Sequence, residues 1–149
     1  MTARVTAGVL LAAWLAFGLL MTLQPVEPPP GLVVDDNFIL FRTIRTYLAS
    51  LDSPFWRGQL VGNLLLLLPV GLLGPIALPA MDGWIRVLLV ALGLSFAIEA
   101  AQLFVPNRMA DVDDVLLNVI GALIGYLLFR IVRFGFNRAT PSRSAADTG

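Results

Sequence analysis

Cysteine, histidine and lysine are all absent from this chain of 149 residues. Without cysteine, the chain has neither disulfides nor thiolate metal sites. Without histidine, it lacks the commonest general base, the commonest metal ligand and the side chain that most easily changes charge near neutral pH. Carboxylates and arginines must therefore carry any acid–base or ionic chemistry.

Charged residues are scarce: they make up 13% of the sequence and hydrophobic residues 58%, against about 25% charged in typical soluble domains. So little polar surface cannot cover a folded chain in water, and the composition therefore predicts an integral membrane protein. The ten basic residues, all arginine, balance ten acidic residues to zero net charge. This balance excludes a basic surface for nucleic acid, so no nucleic-acid partner is expected.

Four windows are long and apolar enough to cross a hydrocarbon core, which requires about 20 residues. They cover residues 5–23, 58–78, 84–105 and 115–134. We therefore predict an all-α fold, a bundle of four transmembrane helices. The first window has one alternative, a signal peptide, because Arg4 precedes it, but its apolar run is long for that role and no A-x-A cleavage site follows.

The polar segments outside these windows carry further signals. The first loop, residues 24–57, begins with a proline-rich stretch that should be extended. From Phe38 to Leu51 apolar residues recur at helical spacing, which predicts a short amphipathic helix in the headgroup region. Residues 135–149 are rich in small polar residues without periodicity, so the transmembrane domain should cover 1–134 and the remainder should be a disordered cytoplasmic tail.

The distribution of arginine predicts the orientation in the membrane. With four spans, both termini lie on the same side. That side, together with the short loop between the second and third windows, holds six arginines, against four in the other two loops. Under the positive-inside rule we predict a multi-pass protein of the cell membrane with both termini cytoplasmic.

Polar residues inside the apolar windows recur at helical spacing, so each set shares one face of its helix. The members are Gln59 and Asn63 in the second window, Ser95, Glu99 and Gln102 in the third, and Asn118 in the fourth. Asn63, Glu99 and Asn118 each lie roughly 5 to 9 Å from the same end of their helices, directly below the loop at 106–114. The pattern predicts one polar pocket that opens on the extracytoplasmic side.

Glu99 is the carboxylate placed within an apolar window. An ionised carboxylate costs roughly 2.5 to 3.5 kcal/mol at the bilayer centre, and less toward the interface, so Glu99 needs a partner or a proton. We expect Arg108 to fold back and pair with it, and Asn63 and Gln102 to donate hydrogen bonds to it. The alternative is that these polar residues only fix the helix positions. Intramembrane ionisable groups more often mark a functional site, which favours a binding site.

Three aspartates, Asp111, Asp113 and Asp114, stand together before the fourth window and admit three interpretations. As helix caps they would satisfy free N–H groups and the helix dipole. As grouped oxygen ligands they would bind Mg²⁺ or Ca²⁺ opposite a phosphate. As ion-pair partners they would bind the arginines of the neighbouring loops. Spacing leaves all three open, and no cofactor is expected other than such a divalent cation.

Pro69 predicts a kink in the second helix, because it removes a backbone hydrogen bond. Two G-x-x-x-G pairs, Gly58 with Gly62 and Gly121 with Gly125, permit close approach of helices. We expect both pairs to be used for packing within the monomer.

These motifs resemble the VanZ-like family of bacterial membrane proteins, named after a protein associated with resistance to the glycopeptide antibiotic teicoplanin. The resemblance covers residues 37–126. It rests on NFILFRTI at 37–44, GNLL at 62–65 with Pro69 and Gly71, Ile98 and Glu99 with Gln102, and above all RMADVDD at 108–114 leading to Asn118, Gly121 and Gly125. Leu40 and Asn107 depart from the family, which usually has Pro and Gly at these positions.

The resemblance implies a small multi-helix protein of the bacterial cell envelope, and it implies no particular reaction. It adds Asn37 to a predicted binding set. The other members of the set are Arg42, Asn63, Glu99, Gln102, Arg108, Asp111, Asp113, Asp114 and Asn118.

Three functional hypotheses follow. In the first, the pocket binds a polar or phosphorylated group of a membrane lipid or lipid-linked wall precursor, with Arg42 and Arg108 as anion contacts and Glu99 as the buried carboxylate. In the second, the chain is a metal-dependent enzyme acting on such a lipid, with the aspartates holding the ion and Glu99 as acid or base. In the third, it is an accessory membrane subunit whose polar residues only specify helix packing.

Overall fold

The computed structural model describes residues 1–25, 36–106, 108 and 110–139, and most of them are helical. The helices are α1 (Thr2–Thr22), α2 (Arg42–Ala49), α3 (Pro54–Leu66), α4 (Leu68–Ala77), α5 (Trp84–Gln102) and α6 (Val112–Ala139), with one 3₁₀ turn at Pro79–Met81. Four stretches of the described chain are long and apolar enough to cross a membrane: Thr2–Thr22, Pro54–Ala77, Trp84–Gln102 and Val112–Phe136. The predicted all-α fold with four spans is confirmed, and α2 is the predicted short helix of the first loop.

α3 and α4 form one membrane span that is interrupted at Leu67, two residues before Pro69. Pro69 has no N–H to donate, and the N–H of Val70 bonds to the carbonyl of Leu67 (3.0 Å). The carbonyl of Leu66 accepts a hydrogen bond from the indole N–H of Trp14 in α1 (3.0 Å). The predicted kink is therefore present, and a side chain of another helix supplies a hydrogen bond at the break.

α6 is the central helix and packs against α3, α4 and α5. A side chain added at Gly121 would lie 2.0 Å from the carbonyl oxygen of Leu64, and one added at Gly125 would lie 2.0 Å from that of Leu68. The backbones of the two spans therefore meet directly. The G-x-x-x-G pair of α6 is used within the monomer, as predicted.

Gly58 and Gly62 behave differently, because a side chain added at either would meet no described residue within 4 Å. The expectation that this pair also packs within the monomer is wrong. The physical reason is the position of α1, which packs along α4 and makes few contacts with α3. α3 thus diverges from α1 on the α3 side of the break at Leu67, toward the start of α3.

The two ends of the bundle carry different groups. At one end, called the α2 end below, α2 lies beside α3 and the start of α6, and the loop before α2 pairs with the loop before α6. At the opposite end, the last turns of α6 lie beside the turn between α4 and α5, where Arg133 pairs with Asp82. The predicted binding residues of the described chain collect at or near the α2 end.

The helix ends differ from the apolar windows. α3 begins at Pro54 and α6 at Val112, each before its apolar window, because a window of apolar residues omits a polar first turn. α6 also continues to Ala139, so the predicted disordered tail does not begin at residue 135. Residues 140–149 and most of the proline-rich stretch lie outside the described residues.

Candidate functional site

Asn37 joins the two loops at the α2 end. Its N–H donates to the carbonyl of Ala110 (3.0 Å), and its carbonyl accepts from the N–H of Val112 (3.0 Å). Its side-chain Nδ2 donates to the carboxylate of Asp111 (2.8 Å) and to the hydroxyl of Thr43 (2.9 Å). Asn37 is buried, and these contacts make it a connection between segments that are distant in sequence.

Asp113 caps α2, although it belongs to α6. Its carboxylate accepts hydrogen bonds from the backbone N–H groups of Phe41 (2.6 Å), Thr43 (2.8 Å) and Ile44 (3.2 Å). Free N–H groups at a helix start require such acceptors, and the residue preceding α2 provides no side-chain cap. Asp111 in turn accepts the N–H of Asp113 (2.8 Å) at the start of α6. The capping interpretation therefore holds for both aspartates, with Asp113 serving a different helix from the one that spacing indicates.

Asp114 is bound differently from the other two aspartates. Its carboxylate accepts a hydrogen bond from the phenol of Tyr47 (3.2 Å), a buried side chain that packs against Trp56 with ring centroids 5.7 Å apart. Burial, together with the charges of Asp114 and Asp111, raises the pKa of Tyr47, so the phenol remains a donor. Because the three carboxylates bind different donors, no group of three in the described part of the chain is arranged to hold a metal ion.

Glu99 faces the bundle interior and is only 7% exposed. Its carboxylate accepts a hydrogen bond from the backbone N–H of Asp111 (3.0 Å). Gln102 donates instead to the carbonyl of Thr22 at the end of α1 (3.3 Å), and Nδ2 of Asn63 is buried without a hydrogen-bond partner among the described residues. The expectation that Gln102 and Asn63 donate to Glu99 is wrong, because Gln102 reaches across to α1 and the amide of Asn63 lies near Asp114 instead.

Arg108 lies in the loop between α5 and α6, where its Nε donates to the carbonyl of Gln24 (3.2 Å). Burial lowers the pKa of Arg108, but the charges of Asp114 and Glu99 oppose that shift, and a guanidinium stays charged in proteins. Within the described ranges, the ion pairs within 4.0 Å all involve Asp82. The expected Glu99–Arg108 ion pair is therefore not formed, since the hydrogen bond to Gln24 holds the guanidinium against the end of α1.

Asn118 lies deeper in the bundle than these groups. Its Nδ2 donates to the hydroxyl of Ser95 (2.9 Å), and both side chains are fully buried. The pair joins α5 to α6, which fits a role in fixing helix positions.

A groove of about 310 Å³ lies between α1 and α3. Most of its wall is apolar and includes Phe17 and Met21 of α1 and Leu65 of α3. Asn63 and Arg108 also line it, and they belong to the predicted binding set. The groove therefore combines an apolar wall with a polar end near the loop that precedes α6.

The remaining predicted residues lie outside this groove. Arg42 is exposed on α2 and does not line the groove, so the groove does not bring it together with Arg108. Glu99, Gln102 and the three aspartates do not line the groove and make the contacts described above. Sequence reasoning did not identify Trp14, which also lines the groove. Its indole N–H donates to a carbonyl at the helix break of a different span, and a pattern within α1 does not indicate that contact.

A second polar cluster, at the opposite end of the bundle, also escaped the sequence analysis. Asp82 accepts a hydrogen bond from Tyr126 (3.1 Å) and pairs with Arg133 and, more loosely, Arg130. Partial burial raises the pKa of Asp82, but the hydrogen bonds from Arg133 and Tyr126 outweigh that effect and hold it below its usual value. The available signal was an aspartate between two spans and arginines at the end of the last helix.

Comparison with known proteins agrees with this architecture. The family model described as VanZ/LLP1 matches residues 7–133. No curated protein and no solved structure gives a significant match. The family match includes residues from every membrane-spanning helix and both loops that build the α2 end. The chain therefore belongs to the VanZ/LLP1 family.

Proposed function

We propose that this membrane protein binds the polar or phosphorylated head of a membrane lipid, or of a lipid-linked envelope precursor, at the polar end of the groove between α1 and α3. The observation that carries this proposal is the position of Arg108, whose side chain lines a largely apolar groove. A guanidinium offers five N–H donors in a fork that matches phosphate and carboxylate groups. The contact with Gln24 engages one of the nitrogens.

Two acidic residues outside the groove, Glu99 and Asp114, favour the charged form of Arg108. Glu99 and Asp114 attract Arg108 electrostatically, but neither lines the groove. Their carboxylates are occupied by the N–H of Asp111 and the phenol of Tyr47. Among the described residues, Arg108 therefore has no direct ion-pair partner, and the hydrogen bond to Gln24 holds its position.

Neutral donors lie beside the guanidinium at the polar end. Asn63 and Gln59 both line the groove. Nδ2 of Asn63 is buried close to Asp114 and has no hydrogen-bond partner among the described residues, so Gln59 is the more accessible amide donor. Amide donors next to one arginine suit an anionic or strongly polar head.

Arg108→Met is the variant that tests the proposal, and Arg57→Met is its matched control. Arg57 is exposed near the start of α3, at the same end of the bundle, and does not line the groove. Native mass spectrometry of the detergent-purified protein should find a phosphorylated lipid on the wild type and on Arg57→Met. Arg108→Met should retain at least about tenfold less, because a hydrogen bond to a charged group contributes about 1.5 to 3 kcal/mol.

Equal retention by Arg108→Met and the wild type would reject a head site at this residue. Repeating the measurement in the presence of EDTA separates direct binding from a metal-dependent site. Binding through a guanidinium needs no ion, so the retained lipid should be unchanged by the chelator.

We further propose that the α2 end faces the outside of the cell membrane and that both termini are cytoplasmic. The excess of arginine on the side of the termini supports this orientation, and Arg130, Arg133 and Arg138 all lie at the end of α6. Reporter fusions after Phe41 and after Asn107 should give an external signal. A cytoplasmic signal from either fusion would reject the orientation.

A further inference from the structure

We propose that the groove between α1 and α3 is a subsite for one hydrocarbon chain of a lipid drawn from the leaflet at the α2 end, and that Trp14 forms its floor. This inference rests on the proposed function, which concerns the lipid head at Arg108, and it adds where the chain lies. The two parts involve different residues and can fail separately.

The groove is closed at its inner end. The indole of Trp14 donates to the carbonyl of Leu66 (3.0 Å), and a side chain added at Gly18 would lie 2.4 Å from Cδ1 of Leu66. α1 and α3 therefore touch at the helix break. One turn earlier in α3, toward the α2 end, a side chain added at Gly62 would meet no described residue within 4 Å, so the two helices have separated there.

The depth of the groove corresponds to a single leaflet. From Gln59 to Leu66, the lining of α3 covers seven helical steps, or about 10 Å at 1.5 Å per step. Half of a hydrocarbon core of about 30 Å is about 15 Å. A chain that enters at the polar end would therefore reach Trp14 within its own leaflet and stop there.

The walls indicate an amphiphile as the ligand. Phe17, Met21 and Leu65 line the groove and are exposed, whereas Arg108 supplies a cation near its polar end. A soluble phosphate would use the cation and leave the apolar wall uncovered, but an anionic lipid matches both. Because α1 makes few contacts with α3, a lipid can enter sideways from the bilayer.

Gly62→Leu tests the subsite, because Gly62 lines the groove and a Cβ added there would meet no described residue within 4 Å. Gly93→Leu is the matched control: Gly93 is an exposed residue of α5, an added side chain there also meets nothing within 4 Å, and it does not line the groove. Both changes replace a helical glycine with a good helix former, so both variants should fold. Circular dichroism and gel filtration verify this.

The probe is phosphatidylglycerol with a brominated acyl chain, in nanodiscs that contain a protein whose only tryptophan is Trp14 (Trp56→Phe and Trp84→Phe). The brominated chain should quench the fluorescence of Trp14. Gly62→Leu should lower this quenching at least twofold, whereas Gly93→Leu should leave it unchanged. Equal quenching in the two variants would show that Trp14 senses only bulk lipid, which would overturn the subsite.

The Arg108→Met variant in the same nanodiscs distinguishes the two proposals. If Gly62→Leu lowers the quenching and Arg108→Met leaves both quenching and co-purified lipid unchanged, the chain subsite holds and the head site fails. If Arg108→Met loses the co-purified lipid and Gly62→Leu has no effect on quenching, the head site holds and the chain subsite is wrong.

Discussion

Replacement of Asp113 by Ala should destabilise the protein by about 3 kcal/mol, because it removes an acceptor that serves three backbone N–H groups at the start of α2. An N-cap alone contributes about 1 kcal/mol, and a hydrogen bond to a charged group about 1.5 to 3 kcal/mol. The three donors share two carboxylate oxygens, and water can reach part of this loop once the side chain is gone. We therefore count about 1 kcal/mol for each bond, and the folding equilibrium should change by more than about a hundredfold.

Two measurements test this reasoning. The midpoint of thermal unfolding in detergent should fall for Asp113→Ala, and hydrogen exchange should accelerate in the peptide that covers α2. Asp52→Ala is the control, because Asp52 is exposed in the turn before α3 and its replacement should change stability by less than about 0.5 kcal/mol. If both variants unfold alike and exchange in α2 is unchanged, Asp113 does not act as the cap.

Three further predictions concern the bundle interior. Gly121→Ala should lower the free energy of unfolding in detergent by about 1 to 3 kcal/mol, since its side chain would lie 2.0 Å from a backbone carbonyl oxygen of α3. Gly93→Ala, the control, should leave that free energy unchanged or raise it. Equal effects of the two changes would contradict the close approach at Gly121. In a double-mutant cycle, Arg108→Met and Glu99→Gln should couple by no more than about 0.5 kcal/mol, because no ion pair joins them, and a coupling of about 2 kcal/mol would show that one forms. The free energy of unfolding should decline as pH rises above about 10, because tyrosine ionises in the unfolded chain while its raised pKa keeps Tyr47 protonated in the fold. Tyr47→Phe should weaken that decline. If the pH profile of Tyr47→Phe matches that of the wild type, Tyr47 is not the cause.

The four spans can be predicted from the sequence because hydropathy is a local property of the chain. The buried faces can be predicted for the same reason, since helical spacing alone places Glu99 and Asn118 toward the interior. Spacing does not identify which donor meets which acceptor. It assigns Asp113 to α6 or to a metal ion, whereas the structure places its carboxylate against the start of α2, a contact that depends on how the two loops dock.

The glycines show the same limit of a local pattern. A G-x-x-x-G pair indicates that helices can approach closely, but it does not name the partner helix. Gly121 meets the backbone of α3, while Gly62 faces an open groove. The difference arises from the break beside Pro69: the proline predicts a kink, but the direction in which α3 diverges depends on how α1 and α6 pack.

The cap supplied by Asp113 also sets an order of events during synthesis. Asp113 follows Ile44 by 69 residues, so at about 5 to 20 residues per second the ribosome adds it roughly 3 to 14 s after the first turn of α2. Until then, the short helix has no carboxylate at its start and must be held by the bilayer surface alone. The α2 end can therefore close only after the last span has begun to insert. A chain truncated before residue 113 would leave the backbone amides at the start of α2 without this acceptor.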